Sequence, residues 1–260
     1  MNVFRLTEIR AQAPLIHNIT NYVVMNSTAN ALLAIGASPV MAHAIEEVEE
    51  MVRHSRALVI NIGTLSPGWV DAMQVAVKAA ASVGIPIVLD PVGCGATRYR
   101  TQSALALLSV ARPSVIRGNA SEIRALARSS GSTKGVDSVF LPDEVRDDAG
   151  ALARSLGGVV SVSGPVDLIA AEGRVARIHN GHPLMTKVTG MGCTASAITG
   201  AFLAVEPDAF EAATLAMATM GAVGELAAER ASGPGSFQQH FLDSMYGLTD
   251  TELRRLARLT

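Results

Sequence analysis

The spacing of apolar residues along the chain alternates between two patterns. Short, continuous apolar runs with the length of buried strands occupy residues 57–62, 87–90 and 158–163. Longer segments with helical spacing follow the first two runs, at residues 69–83 and 99–111. Continuous apolar strands separated by helices are typical of a parallel sheet that is covered on both faces. We therefore predict a three-layer α/β fold with a mostly parallel central sheet.

The same criteria predict elements on either side of this region. Further extended segments are expected at residues 14–19, 38–41 and 114–116, and further helices at 21–35, 46–54 and 145–156. Residues 167–171 and 175–179 are predicted to pair as an antiparallel hairpin at one end of the sheet. The remainder is helical, with helices expected at 193–204, 209–229, 236–246 and 250–258. Residues 131–137, which contain Gly, Ser and Thr, form the expected mobile loop.

The composition favours one domain, residues 1–260, and excludes some partners. The chain is 49% hydrophobic and 17% charged, so it can bury a sizeable core. Its 21 basic and 23 acidic residues leave a net charge of −2, which provides no electrostatic attraction for nucleic acid or an acidic membrane. The apolar stretch from residue 193 to 205 is too short to cross a bilayer core. We expect neither nucleic acid nor a membrane as a partner.

The two cysteines, Cys94 and Cys193, lie far apart in the sequence. They have neither the spacing of metal ligands nor that of a disulfide framework. The first residues include charged side chains and contain no apolar core followed by a cleavage site, so no signal peptide is predicted. A reducing cytoplasm is the expected location.

Polar residues follow three of the predicted strands at their carboxyl ends. They are Asn61 with Gly63 after one strand, Asp90 at the end of the next, and an expected turn at residues 117–119 after the third. In open parallel sheets the ligand crevice lies beyond these strand ends. These groups are therefore expected to meet at one site.

A second feature is the turn that contains Gly190 and Gly192 and leads into the apolar helix starting near Cys193. Glycines allow a sharp turn and a close approach to a ligand, and the helix start presents free N–H groups. An anion would bind well there. A Gly-x-Gly turn alone is weakly specific, and a loop that only begins a helix explains it equally well.

Asp90, Asn119 and Glu122 add carboxylates and an amide to the same rim. Such oxygen ligands suit a Mg²⁺ ion that is held through waters and shared with nucleotide phosphates. Taken alone, Glu122 is better explained as a first-turn carboxylate that interacts with the helix dipole. A metal site next to a phosphate-binding helix start indicates phosphoryl transfer.

Other chemistries have weaker support. The sequence Gly190-x-Gly192-x-x-Ala195 fits a dinucleotide-binding fingerprint, but Glu206-Pro207 and further helix follow where a second parallel strand is required. The sequence contains no Walker phosphate loop. It also lacks a His/Cys set with the spacing of a zinc site.

Six short segments, in this order, carry a resemblance: His17-Asn18-Ile19-Thr20-Asn21-Tyr22-Val23, Ser38-Pro39-Val40-Met41, Asn61-Ile62-Gly63-Thr64, Leu89-Asp90-Pro91-Val92-Gly93, Ile116-Arg117-Gly118-Asn119-Ala120-Ser121-Glu122 and Thr189-Gly190-Met191-Gly192-Cys193. With them the chain resembles the hydroxyethylthiazole kinase family of the ribokinase-like fold, from about residue 14 to residue 246. The resemblance implies ATP-dependent phosphorylation of the alcohol of 4-methyl-5-(2-hydroxyethyl)thiazole, in thiamine biosynthesis and salvage.

The resemblance also implies roles for individual residues. Cys193, Gly190 and Gly192 would form the catalytic turn. The thiazole pocket would contain Met41, Gly190, Asn21 and Gly63. ATP would contact Arg117, Ser163 and Asn119, and Asp90 and Glu122 would bind Mg²⁺. The family is trimeric with its pocket at a subunit boundary, so Met41 is expected to serve a neighbouring subunit.

Cys193 stands where related sugar kinases carry Asp. Its position at a helix start predicts a lowered thiol pKa. A thiolate is still a far weaker base than the alkoxide, and a loose phosphoryl-transfer transition state needs little base before the P–O bond forms. We expect positioning and the amides of residues 190–193 to supply most of the acceleration, with Cys193 orienting the hydroxyl and taking the proton late.

Three alternatives stay open at the level of the sequence. One is a nucleotide-dependent hydro-lyase of the same fold, which the Cys at position 193 disfavours. Another is a kinase of a different small alcohol such as hydroxymethylpyrimidine. The third is a nucleotide-binding regulator without catalytic activity.

Overall fold

A mixed sheet organises the fold in the computed structural model, which describes residues 5–131 and 142–260. Its strands are β1 (Leu15–Ile19), β2 (Ser38–Val40), β3 (Ala57–Asn61), β4 (Ile87–Asp90), β5 (Val115–Asn119), β6 (Val159–Ser163), β7 (Asp167–Ala171) and β8 (Arg174–Ile178). The strand order within the described residues is β2-β1-β3-β4-β5-β6-β7-β8. Strands β1 to β6 pair in parallel, and the β7–β8 hairpin adds two antiparallel pairings at one edge.

Helices cover both faces of the sheet. They are α1 (Leu6–Gln12), α2 (Met25–Ile35), α3 (Val48–His54), α4 (Pro67–Val83), α5 (Arg98–Val110), α6 (Ala120–Ser129), α7 (Pro142–Leu156), α8 (Met191–Leu203), α9 (Ala209–Arg230), α10 (Pro234–Gly247) and α11 (Asp250–Leu256). A 3₁₀ helix, Pro183–Lys187, precedes α8. Helices α2, α8, α9 and α10 enclose one apolar core, and α3 to α7 enclose the other.

The two cores explain why the strands are continuously apolar. All five residues of β3 and all four of β4 are buried, because side chains on both faces point into a core. Because β3, β4 and β5 pair in parallel, their carboxyl ends lie side by side, with Asn61 opposite Asp90 in the register. This edge of the sheet positions the site described below.

The α/β prediction with helices on both faces and an edge hairpin is confirmed. Several predicted boundaries differ from the structure by two or more residues, and for three of them the structure shows the reason. Helix α2 begins at Met25 rather than at residue 21, because residues 21–24 form a turn closed by the Val24 amide on the Asn21 carbonyl. Helix α11 ends at Leu256, and Arg258 lies beyond it, where its carbonyl accepts the His179 amide beside β8.

The third wrong boundary concerns β5. The predicted turn at residues 117–119 belongs to this strand, which continues to Asn119 because it pairs with β6 along its whole length. The expected mobile loop at residues 131–137 lies almost entirely outside the described residues. Within the described residues, no helix has the length and apolar character needed to cross a membrane.

Candidate active site

A cavity of about 750 Å³ opens beyond the carboxyl ends of β4, β5 and β6. One part of its wall carries polar side chains: Asp90, Arg117, Asn119, Glu122 and Ser163. The start of α8 forms another part, with Gly190, Gly192 and Cys193. A third part is mainly apolar and includes Met185, Met217 and Met220. The cavity combines a polar floor with an apolar extension, which suits a ligand with a charged end and a flat apolar end.

Helix α8 begins at the cavity without a side-chain cap. Its N-cap residue is Gly190, which has a φ of 82°, in the left-handed region that favours glycine. The first intrahelical bond runs from the Thr194 amide to the Gly190 carbonyl, at 2.8 Å. Like those of any helix start, the preceding amides have no acceptor within the helix, so they can donate to an anion.

Arg117 brings a positive charge to this helix start. Its Nη2 donates to Ser163 Oγ at 2.6 Å, and its side chain is buried. A Cβ atom built on Gly192 would lie 2.5 Å from Arg117 Nη1, so the guanidinium packs directly over this glycine. Arg117 Nε is buried without a hydrogen-bond partner among the described residues. The guanidinium therefore retains donor capacity for a ligand oxygen.

Helix α6 begins at the same edge but is closed by its own side chains. Asn119 Oδ1 accepts the Glu122 amide at 3.0 Å, and Glu122 Oε2 accepts the Asn119 amide at 2.8 Å, which forms a capping box. The other carboxylate oxygen, Oε1, accepts the Gly93 amide at 2.8 Å. Glu122 thus ties α6 to the loop after β4.

Asp90 lies between the two helix starts and is almost fully buried. Its Oδ2 accepts hydrogen bonds from Asn61 Nδ2 at 2.8 Å and from Ser196 Oγ at 2.7 Å. Its Oδ1 is buried and has no partner among the described residues. Burial raises the pKa of Asp90 to about 6, although Arg117, Ser196 and Asn61 act in the opposite direction.

The expected lowering of the Cys193 pKa is wrong. Burial raises the pKa of this thiol, and the charge of Asp90 adds to the effect, which outweighs the hydrogen bonds from Asn61 and Asn21 and the charge of Arg117. Removing the thiolate from water costs more than these neighbours return. Cys193 is therefore a thiol at neutral pH, which can form a hydrogen bond but is not a base.

The donor set at this edge fits a Mg²⁺ ion. Asp90 Oδ1 is a buried carboxylate oxygen without a partner, and hard oxygen ligands suit this cation. Glu122 lines the same cavity, and its charge acts to raise the pKa of Asp90. No group of three or more His, Cys, Asp or Glu residues that could hold a metal ion occurs in the described ranges.

The profile of the hydroxyethylthiazole kinase family matches residues 6–251. The chain belongs to this family. It is 59% identical over 252 residues to the hydroxyethylthiazole kinase of Syntrophus aciditrophicus, which covers 96% of this chain and 93% of that protein. The enzyme of that name from Leptospira biflexa is 54% identical over 247 residues, 95% of this chain and 92% of its own. Membership confirms a kinase and does not favour the hydro-lyase.

Solved structures agree with this membership. The hydroxyethylthiazole kinase protein from Pyrococcus horikoshii superposes with a TM-score of 0.92 at 45% identity, covering 98% of this chain and 96% of that one. The pyridoxal kinase from Staphylococcus aureus has a TM-score of 0.62 at 15% identity, covering 81% and 87%. The second similarity concerns the fold alone. The ribokinase-like architecture expected for the family is confirmed.

The residues that the family resemblance assigned to the thiazole pocket lie in two places. Gly190 lines the cavity. Asn21 adjoins it, since its Nδ2 lies 3.4 Å from Cys193 Sγ, and Gly63 packs on the Asn21 side chain. Met41 follows the edge strand β2 and does not line the cavity. Of the residues that the resemblance assigned to the site, the structure therefore places all except Met41 in or next to the cavity.

The structure adds residues to which the sequence assigned no role. Arg100 Nη1 donates to the carbonyls of Ile62 and Val92, at 3.0 and 2.7 Å, and its Nη2 donates to that of Gly63, at 2.7 Å. It thus joins the loops after β3 and β4. Its place in α5, far along the chain from Gly63, offered no sequence signal for this contact.

Asp167 is a second buried carboxylate in the cavity wall. Its Oδ1 accepts the Gly164 amide at 2.9 Å and so shapes the loop after Ser163. Burial raises the pKa of Asp167 to about 6, although the Gly164 amide and the charge of Arg117 act to lower it. Asp167 reaches the cavity wall because it begins β7, directly after the loop that follows β6.

Proposed function

We propose that this chain transfers the γ-phosphoryl group of ATP to the hydroxyl of 4-methyl-5-(2-hydroxyethyl)thiazole, giving the thiazole phosphate and ADP in thiamine biosynthesis and salvage. The observation that carries the proposal is the uncapped start of α8, which faces the same cavity as Arg117 and Asp90. A helix start with free amides next to a guanidinium is suited to a transferring phosphoryl group. The whole chain acts as one catalytic domain in this proposal.

The side chains around the cavity divide the work of this reaction. The amides at the start of α8 and the Arg117 guanidinium hold the phosphoryl oxygens, and Ser163 keeps the guanidinium in place. Asn119, whose side chain caps α6 at the cavity rim, adds a contact to ATP. The apolar extension with Met185, Met217 and Met220 accommodates the nucleoside. Asp90 and Glu122 would hold Mg²⁺, which when bound neutralises charge on the phosphates.

Cys193 orients the acceptor hydroxyl next to Asn21. As the acceptor oxygen forms its bond to the γ-phosphorus, the bond from that phosphorus to the bridging oxygen breaks and ADP leaves. The hydroxyl proton becomes acidic only as the new P–O bond forms, so a strong base is not needed. Because the raised pKa keeps Cys193 protonated at neutral pH, the thiol does not take this proton, which passes to an oxygen of the transferred phosphoryl group or to water.

We also propose that the chain forms a cytoplasmic homotrimer whose thiazole pocket is completed by a neighbouring subunit. Large apolar side chains near the edge strand β2 are exposed in the single chain: Tyr22, Val23, Leu33 and Ile45. An exposed apolar group of this kind favours burial against another copy. Met41, which lies outside the cavity of its own chain, would then reach the neighbour's site.

The activity can be tested by incubating the protein with Mg·ATP and separately with the thiazole alcohol, hydroxymethylpyrimidine and no acceptor. We expect ADP and a phosphorylated product, identified by mass spectrometry, with the thiazole alcohol far above the other two. Phosphorylation of the pyrimidine alone would contradict the proposed substrate. Nucleotide binding without any ADP formation would support the regulator instead.

The assembly requires its own measurement. Light scattering coupled to size-exclusion chromatography should give three times the chain mass of 27.0 kDa. Leu33→Glu should shift the mass toward the monomer and raise the KM for the thiazole, because the pocket would lose its neighbour. A monomeric parent protein with full activity would contradict the shared pocket.

A further inference from the structure

Asn61 is the last residue of β3, and its buried side chain has a hydrogen-bond partner for both polar atoms. Its Nδ2 donates to Asp90 Oδ2 at 2.8 Å. Its Oδ1 accepts Asn21 Nδ2 at 2.8 Å and the Gly63 amide at 3.0 Å. Asn61 does not line the cavity, so it acts through these neighbours and through its hydrogen bond to the Cys193 thiol.

These partners permit only one orientation of the Asn61 amide. If the amide flipped, its oxygen would face the carboxylate oxygen of Asp90 and its NH₂ group would face two N–H donors. All three hydrogen bonds would be lost in a buried environment, where unmade hydrogen bonds are costly. The Asn61 amide is therefore held in one orientation by Asp90 on one side and by Asn21 and Gly63 on the other.

The Asp90 end has a second support. Ser196 Oγ, from α8, donates to the same oxygen of Asp90 at 2.7 Å. Two donors on Oδ2 leave Oδ1 as the oxygen of Asp90 without a partner among the described residues. Asn61 and Ser196 together thus decide which carboxylate oxygen is available for a cation.

The Oδ1 atom of Asn61 faces Asn21, on the side of the site where the acceptor hydroxyl is proposed to bind. Asn21 Nδ2, which donates to Asn61 Oδ1, also lies 3.4 Å from Cys193 Sγ. Gly63, whose amide Asn61 accepts, leaves no room for a Cβ against Asn21, since the nearest Asn21 atom would lie 2.6 Å away. The position of Asn21 next to Cys193 therefore depends on Asn61.

We propose that Asn61 is a positioning residue that sets the metal-binding carboxylate of Asp90 and the acceptor-orienting pair Asn21–Cys193 relative to each other, with Ser196 completing the Asp90 end. This inference rests on the proposed kinase function. Its physical basis is that phosphoryl transfer depends on the alignment of donor phosphate and acceptor hydroxyl, and a misplacement of about 1 Å can cost about 100-fold in rate.

Three variants separate the two ends. Ser196→Ala removes a donor to Asp90 and a longer contact, 3.4 Å, to the Gly192 carbonyl in its own helix, and it leaves the hydrogen bonds of Asn21 in place. Asn61→Leu, which is similar in size, removes the bonds at both ends. Thr199→Val is the matched control, because Thr199 is a buried α8 hydroxyl that donates only to the Ala195 carbonyl in its own helix, at 2.8 Å. Folding of each variant is checked by circular dichroism and thermal melting.

The measurements are steady-state kinetics and Mn²⁺ binding in the presence of ADP, followed by electron paramagnetic resonance. For Ser196→Ala we expect Mn²⁺ affinity to fall by about 10-fold, with the KM for the thiazole within about twofold of the parent. For Asn61→Leu we expect the same loss of Mn²⁺ affinity, a higher thiazole KM and a kcat lower by about 100-fold. Thr199→Val should resemble the parent.

Several results would overturn the inference. One is a folded Asn61→Leu variant that changes only one end of the site, and another is a Ser196→Ala variant that changes the thiazole KM but not Mn²⁺ binding. If Asn61→Leu does not fold, Asn61→Ala, which leaves space for water, is judged by the same criteria. A parent protein that forms no ADP with the thiazole would contradict the proposed function, whereas normal parent activity with unaffected variants would contradict this inference alone.

Discussion

The starts of α6 and α8 lie at the same edge of the sheet and on the same cavity, yet they differ in what satisfies their free amides. Helix α6 carries a capping box in which Asn119 and Glu122 each accept the other's amide. Helix α8 begins at Gly190, which has no side chain that could accept. Both helix starts have the same dipole direction, so the dipole does not explain the difference. The residue at the N-cap decides whether the amides are used internally or offered to a ligand.

The two helix starts therefore have complementary tasks. At the closed start of α6, side chains of the capping box accept the free amides, and Glu122 is held at the cavity rim. The open start of α8 keeps its amides available and lets the Arg117 guanidinium approach Gly192. In the proposed function, one start supplies negative charge for a cation, and the other receives negative charge from a phosphate.

The most damaging change to the open start should be Gly190→Ala. The φ of 82° is strained for alanine, and its Cβ would lie 2.5 Å from Val24 Cγ1, so the turn must move. We expect kcat/KM to fall by about 100-fold or more, because the amides lose their alignment. Steady-state kinetics and thermal melting measure both effects.

The matched control for this change is Gly84→Ala. Gly84 ends α4 with a φ of 76°, and a Cβ there would meet no atom within 4 Å. This variant should lose stability by about 1 kcal/mol and keep its activity. Equal losses of activity in both variants would mean that backbone strain, not the open helix start, explains the effect.

Cys193→Ala should have the next largest effect. Removing the thiol deprives the acceptor hydroxyl of its orienting partner, so kcat should fall by about 10- to 100-fold while the thiazole KM changes by less than about twofold. Cys193→Asp should remain active, because a carboxylate can orient the hydroxyl in the same way. The other cysteine provides the control, since Cys94→Ala should leave the kinetics unchanged.

These Cys193 variants also have a contradicting outcome. An Asp variant that folds and binds both substrates but has no activity would exclude the orienting role. Isothermal titration with the thiazole and with ADP separates loss of binding from loss of rate.

The closed start is tested by Glu122→Gln. Both oxygens of Glu122 accept backbone amides, and the substitution removes one acceptor and the charge. We expect the Mg²⁺ concentration for half-maximal rate to rise by about 10-fold. Unchanged metal dependence would remove Glu122 from the metal site.

Helix α11 offers a matched capping box for comparison. Its Glu252 accepts the Thr249 amide at 3.0 Å and lies outside the cavity wall. Glu252→Gln should slightly lower the melting temperature and leave the Mg²⁺ dependence unchanged. The pair of variants separates the loss of a cap from the loss of a metal ligand.

The last comparison concerns stability and contrasts two carboxylates, Asp167 and Asp208, that differ in the hydrogen bonds they accept. The pKa of Asp167 is raised by burial from 3.8 to about 6, because one amide and the charge of Arg117 offset only part of the desolvation. The folded protein therefore prefers the protonated form. The contribution of Asp167 to stability is full below pH 3.8 and is lost as the pH rises through about 6.

Asp167→Asn should accordingly stabilise the protein at pH 8, by an upper limit of about 3 kcal/mol, and the gain should shrink toward pH 4. Chemical denaturation at several pH values measures it. Asp208, which caps α9, provides the opposite case. Partial burial acts to raise the pKa of Asp208, but hydrogen bonds from Arg174, Phe210 and Glu211 lower it. Asp208→Asn should lose stability at neutral pH, and the loss should shrink in acid.

The sequence by itself determined the order of strands and helices, because the apolar repeat is a local property. It also placed Asn61, Asp90 and Arg117 at one site, since the carboxyl ends of parallel strands meet at one edge. The turn at Gly190 and the carboxylate at Glu122 could be recognised because the signals of helix starts lie within four residues.

The tertiary structure alone decided what depends on neighbours that are distant along the chain. The strand β5 extends to Asn119 because β6 pairs with it, and Asn61 joins Asp90 to Asn21 across separate strands. The Cys193 pKa shows the reason most clearly. The helix start is visible in the sequence and predicts a lower value, whereas burial and the charge of Asp90 arise only on folding and raise it. Desolvation and charge act through space, so a local pattern cannot predict their sum.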